Sequence, residues 1–136
     1  GKRRQKATVE EAPILNSAES IYQFMHTTIQ DLDIEEGWVL MMKQNFRLIE
    51  AKRISVGGLT MAPVDLRLMM KEVLLKNTTV LAFCHNHPSG STNPSRDDDI
   101  LTSHIHKACE LLHIHFADHV ILTDGGYFSY REEGKL

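Results

Sequence analysis

Residues 85–98 read His-Asn-His-Pro-Ser-Gly-Ser-Thr-Asn-Pro-Ser-Arg-Asp-Asp, and no other stretch restricts the chain so tightly. They follow Thr79-Val80-Leu81-Ala82-Phe83-Cys84, an apolar, β-prone run that predicts a buried strand. His85 and His87 close that strand two positions apart. In extended backbone both imidazoles then point to one side, about 6.6 Å apart along the strand. A polar loop turns the chain, Ser95 opens an amphipathic helix, and Asp98 falls in its first turn, where a carboxylate can face back toward the strand end. Two neutral imidazoles and one carboxylate make a first-row metal site, best matched by zinc with a water in the fourth position.

The spacing His85-x-His87, seven residues, Ser95, two residues, Asp98 resembles the signature of the JAMM (MPN-plus) metalloproteases. His-Asn-His-Pro-Ser-Gly followed by Pro-Ser-x-x-Asp is similar to the bacterial RadC branch of that superfamily. The resemblance covers about residues 15–131. It implies an α/β fold of the MPN type, a mixed sheet flanked by helices with cytidine-deaminase-like architecture and the metal at strand and helix ends. It implies one Zn2+ per chain held by His85, His87 and Asp98, and a zinc-dependent hydrolase acting on a peptide or isopeptide bond.

In JAMM enzymes an upstream glutamate serves as proton acceptor and donor. Counting back from Arg47-Leu48-Ile49 places that residue on Glu35, with its neighbour Glu36 as the alternative. Ser95 fits a helix N-cap by spacing. By resemblance its hydroxyl also lies near the metal-bound water and could stabilise an oxyanion. Asn86 and Pro88 read as loop shaping. Asp97 and Asp99 complement the helix dipole, and either would replace Asp98 if the register were off by one. Asp118-His119 followed by Val-Ile-Leu resembles the Asp-His-aliphatic strand of RadC proteins, which implies a hydrogen-bonded pair that is either structural or supports the metal ligands from behind. His113 and His115 could share a face, which makes a second metal site conceivable. His104 and His106 face different sides of a helix, and His26 reads as exposed.

One domain is the expectation for 136 residues, with 1–13 as linker or tail and 14–136 as the folded unit. No apolar run approaches the ~20 residues of a membrane span, and no signal peptide is apparent, so a cytoplasmic protein is expected. Cys84 and Cys109 form no CxxC pair and read as buried free thiols; Cys84 adjoins His85, but its strand position argues against a nucleophile. A net charge of −3 gives no footprint for nucleic acid. The basic cluster Lys2-Arg3-Arg4-Gln5-Lys6 lies in the tail, and Gly1 suggests an excised fragment. RadC proteins carry a DNA-repair label and usually a helix-hairpin-helix region, which this sequence lacks. A DNA-transaction factor or nuclease on the same scaffold, and a non-catalytic MPN binding module, are the competing readings. A peptide or protein substrate and a homodimer complete the expected partners. Zinc deaminase chemistry is set aside, because there is no His-x-Glu and no Pro-Cys-x-x-Cys.

Along the chain, Asn16 and Glu19 have capping-box spacing and start a helix to about Ile29. Gly37–Met42 and Phe46–Val56 read as a hairpin. A helix begins at Ala62-Pro63 and runs to Asn77, and another runs from Ser95 to about Leu112. Ile114–Thr123 and Tyr127–Tyr130 are strands, and Arg131–Leu136 reads as a frayed end. The order is αββαβαββ, which predicts a mixed sheet with helices packed on it.

Overall fold

A computed structural model describes residues 12–57 and 64–136. Its elements are α1 (Ala18–Ile29), β1 (Glu36–Met42), β2 (Leu48–Val56), α2 (Leu66–Leu75), β3 (Val80–Asn86), α3 (Arg96–Leu111), β4 (His115–Thr123) and β5 (Gly126–Ser129). The expected αββαβαββ order and mixed α/β class are both found. The sheet runs β2-β1-β3-β4-β5, antiparallel throughout except for the central β3–β4 pair. That parallel pair requires a crossover, and α3 supplies it.

Side-chain alternation along the central strands feeds two cores. Leu40 and Met42 of β1 and Ala82 and Cys84 of β3 pack with Ala18, Ile21, Met25 and Ile29 of α1. Val39, Met41, Leu81 and Phe83 point the other way, against Met69 and Val73 of α2 and Leu101, Ile105 and Cys109 of α3. The result is a three-layer sandwich, one helix on one face and two on the other. Every residue of β3 is buried, as a central strand covered on both faces must be. Gly37 in β1 leaves no room for a side chain: a Cβ there would lie 2.4 Å from Ser55 Oγ and 2.8 Å from Phe83 Cζ.

Local chemistry moves several boundaries. Ser17, not Asn16, caps α1, and it makes the capping box with Ser20, so Glu19 plays no part in the cap. The hydroxyl of Ser17 accepts from Ser20 N while Ser20 Oγ accepts from Ser17 N, a reciprocity that Asn16 is one residue too early to make. α2 is capped by Asp65, whose carboxylate accepts from Arg67 N and Leu68 N. The start expected at Ala62-Pro63 lies outside the described residues. Arg131–Leu136 is not frayed. Lys135 N donates to Tyr130 O, Gly134 N to Arg131 O, and Leu136 packs against the second core. No helix among the described residues is long and apolar enough to cross a membrane.

Candidate metal centre

The C-terminal end of β3 and the N-terminus of α3 meet where the open edge of an α/β layer commonly holds ligands. His85 is in β3. His87 lies one residue past its end but keeps the strand's direction, because its N–H donates to Leu122 O and so continues the β3–β4 ladder. The two rings therefore stay on the α3 side, with Phe83 beneath them. Ser95 caps α3 and Asp98 is the third residue of its first turn. Ser95 Oγ accepts from Asp98 N at 3.0 Å, and Asp98 Oδ2 accepts from Ser95 N at 2.8 Å. This capping box locks the Asp98 side chain in the orientation that faces the histidines.

Three donor atoms converge. His85 Nε2 lies 3.0 Å from His87 Nε2 and 3.0 Å from Asp98 Oδ1, and His87 Nε2 lies 3.2 Å from Asp98 Oδ2. His85 and Asp98 are each 1% exposed, and His87 half-covered. Zinc bound to nitrogen and oxygen at ~2.0–2.1 Å in a tetrahedron sets neighbouring ligand atoms roughly 3.3 Å apart. The three groups fit an ion of that kind: two soft-to-borderline nitrogens and one anionic oxygen in a buried corner, open on one side through His87. Among the described residues His85, His87 and Asp98 form the one such group, so no second site at His113 and His115 is present there. Asp97 does not enter the group, and Asp99 instead accepts from the Tyr130 hydroxyl at 2.7 Å.

The ring of His87 is fixed from behind. Its Nδ1 lies 2.8 Å from Ser91 O, and since a carbonyl only accepts, Nδ1 carries a hydrogen and Nε2 is the nitrogen turned to Asp98. His119 Nε2 lies 2.9 Å from His85 Nδ1, and the ring stacks on Tyr130 with centroids 4.7 Å apart. Asp118 turns to the opposite side of β4. It accepts from Ser129 Oγ, His119 N and Arg131 N and so pins the C-terminal turn. The expected Asp118–His119 pair is thus joined by the Asp118 carboxylate accepting from the His119 backbone N–H, and the His119 ring belongs to the metal side.

Ionisation follows these contacts. Burial opposes charge on Asp98, but hydrogen bonds from His85 and His87 outweigh it and hold its carboxyl far below the usual carboxylate range. Burial likewise works against charge on His87, yet Asp98, the Ser91 carbonyl and the charge of Glu35 together raise its pKa. Burial pushes the Cys84 thiol far above its ordinary range and that of Cys109 up to about 12, so neither is a thiolate nucleophile.

The two shifts predict opposite limbs of pH dependence. The raised pKa of His87 gives the metal-free chain stability that is complete below its unfolded value of ~6.5 and is lost as pH rises through the folded value. The lowered pKa of Asp98 gives stability that is present above ~3.9 and drains away as pH falls below it. In chelator, the stability gap between wild type and His87→Gln is therefore expected to narrow as pH rises above ~6.5. With zinc added it should widen over the same range, because neutral imidazoles bind the metal. Urea melts at a series of pH values measure both gaps, and a constant gap in chelator would contradict the Asp98–His87 coupling.

Glu35 and Glu36 separate. Glu36 accepts from Trp38 Nε1 at 3.1 Å and pairs with Arg53 at 3.3 Å, so its carboxylate is occupied in the sheet. Glu35 is half-buried just before β1, within electrostatic reach of His87. Its flanks are held by Asn86, the residue between the histidines. Asn86 Oδ1 accepts from Glu36 N at 2.7 Å and its Nδ2 donates to Ile34 O at 3.2 Å. Sequence reasoning took Asn86 for loop shaping; its burial inside a strand was the available signal. Against His87 lies a cleft of about 350 Å³ walled by His26, Asp31, Asp33, Asn86 and Asp124 among others. His26 is half-buried there, in ring contact with Tyr22, and not exposed.

Proteins named UPF0758 from Flavobacterium johnsoniae, Porphyromonas gingivalis and Haemophilus influenzae are 35%, 37% and 35% identical over 134, 116 and 131 residues. These alignments cover 98%, 85% and 96% of this chain but 58%, 51% and 59% of the relatives, so the chain spans a little over half their length. The RadC-like JAB domain family matches residues 15–135, nearly all of the folded chain, and the chain belongs to that family.

Proposed function

We propose that this domain is a zinc-dependent hydrolase of peptide or isopeptide bonds. The observation that carries the reading is the convergence of His85 Nε2, His87 Nε2 and an Asp98 carboxylate oxygen at 3.0–3.2 Å, beside a cleft and within range of Glu35. His85, His87 and Asp98 would hold the ion. When bound, zinc supplies a Lewis acid and makes water a nucleophile near neutral pH.

The protein's own groups complete the chemistry. The Glu35 carboxylate takes a proton from the attacking water and returns it to the leaving amine, one group serving both steps in turn. Ser95 Oγ accepts from Asp98 N but keeps its own proton, which it can donate to an oxyanion. Asn86 fixes the segment that carries Glu35.

Metal analysis by plasma mass spectrometry tests the reading on untagged wild type beside His87→Ala. One zinc per wild-type chain and none in the variant is the expected result. Zinc-loaded wild type should then cleave members of quenched peptide and isopeptide libraries, and chelator should stop it. A wild-type chain that takes up no zinc even after reconstitution would remove the hydrolase reading and leave a non-catalytic binding module in its place.

A further inference from the structure

The hydrogens behind His85 can be placed by counting donors. Thr102 lies on α3 one turn after Asp98, and its hydroxyl is 2.8 Å from Asp98 O and 2.5 Å from His119 Nδ1. A hydroxyl has one proton. Asp98 O can only accept, and Tyr130, whose own proton goes to Asp99, can only accept from Thr102 as well; with two acceptors for its one proton, the Thr102 oxygen is best satisfied when His119 Nδ1 donates to it. His119 is fully buried with no carboxylate against its ring, so it holds one hydrogen and its Nε2 is bare. That bare nitrogen, 2.9 Å from His85 Nδ1, accepts from it. His85 therefore carries a hydrogen on Nδ1, which reserves Nε2, the nitrogen nearest Asp98 and His87, for an ion.

From this geometry we infer that Thr102 and His119 are positioning residues that select the metal-binding tautomer of His85, doing for it what the Ser91 carbonyl does for His87. The inference rests on the metal reading above. The chain begins and ends on one ligand pair, since Thr102 anchors on the backbone of Asp98 and the last hydrogen bond reaches the ring of His85. Stacking on Tyr130 and an edge contact with Phe83, centroids 5.1 Å apart, keep the His119 ring from turning. A tyrosine hydroxyl tied to Asp99 extends the same support to the first turn of α3. A metal-ligating imidazole generally needs such a partner on its other nitrogen, and losing one typically weakens metal binding ~10–100-fold.

The test uses His119→Gln, His119→Leu and Thr102→Val in the whole chain. A Gln side chain places an amide oxygen near the position of Nε2 and can accept from His85; Leu cannot. Zinc affinity, read by competition with a chromophoric chelator, should fall ~10–100-fold in His119→Leu and stay near wild type in His119→Gln. In nitrogen-15 spectra of chelated wild type, His119 should show a protonated Nδ1 and a bare Nε2. Thr102→Val should lose that signature while keeping its helical circular dichroism. A His119 protonated on Nε2, or equal losses in the Leu and Gln variants, would overturn the inference. Absence of zinc from wild type would instead overturn the metal reading, and the His119 tautomer, read without metal, tells the two failures apart.

Discussion

Asp98→Ala is expected to lower zinc affinity by well over ~100-fold, beyond what losing a supporting residue does. It should also cost about 3–5 kcal/mol of stability in chelator, the usual penalty for removing one side of a buried charged pair. The size follows from how many jobs one carboxylate holds. It meets both imidazoles, and its Oδ2 accepts from Ser95 N, closing the capping box of α3. Asp98→Asn separates these roles. The amide oxygen can still accept from Ser95 N, so part of the stability should return, but the anion is gone and zinc should not. Urea melts in chelator and zinc competition read the two quantities. An Asp98→Asn chain with wild-type zinc affinity would remove Asp98 from the ligand set.

The second large effect is on turnover. Once a cleaved substrate is found, Glu35→Gln should reduce its hydrolysis ~10²–10⁴-fold, the range for loss of a general acid–base group. Zinc content and melting temperature should stay unchanged. Glu36→Gln is the matched control: it loses the Arg53 ion pair but leaves the cleft intact, so hydrolysis should persist. Asn86→Ala links the two, because its amide ties both flanks of Glu35 to the histidine strand. Loss of those hydrogen bonds should cost ~1–3 kcal/mol and lower turnover with Glu35 still in place. Equal turnover in Glu35→Gln and wild type would move the proton-transfer role elsewhere.

What the sequence disclosed and what it hid have a physical division. His85, His87, Ser95 and Asp98 lie within one strand–loop–helix segment, where periodicity alone sets direction, and the structure brings the two imidazoles and the Asp98 carboxylate together, with Ser95 capping the helix that carries Asp98. The strands and α3 were legible for the same reason. Choosing between Glu35 and Glu36 needed the pairing of Trp38 with Arg53 across β1 and β2, which encloses the Glu36 carboxylate and is not a local property. His119 was harder. It reaches His85 only because β3 and β4 run parallel with Phe83 beside His119, in a register set by the extra residue Ala117 on β4 opposite Leu81 and Ala82. Thr102 did leave a trace, a polar residue on the apolar face of α3, where a hydroxyl is retained at a cost unless it is bonded. The α1 cap was misread by one residue because Asn16 and Ser17 are both good caps, and only reciprocal bonding with Ser20 decides between them.

The three proposed ligands lie within residues 85–98, and this has a consequence for how the chain folds. Closing so short a loop costs little entropy, and the cost grows only as the logarithm of its length. If these residues hold zinc, the unfolded polypeptide is expected to keep a residual chelate, and zinc held by that state would offset part of what zinc does for the native one. The thermal gain on adding metal is then expected to fall short of the gain that the native dissociation constant alone predicts. Refolding, in turn, will quicken when zinc is present from the start, since the ion fastens the β3–α3 corner before β1 and β4 close around it.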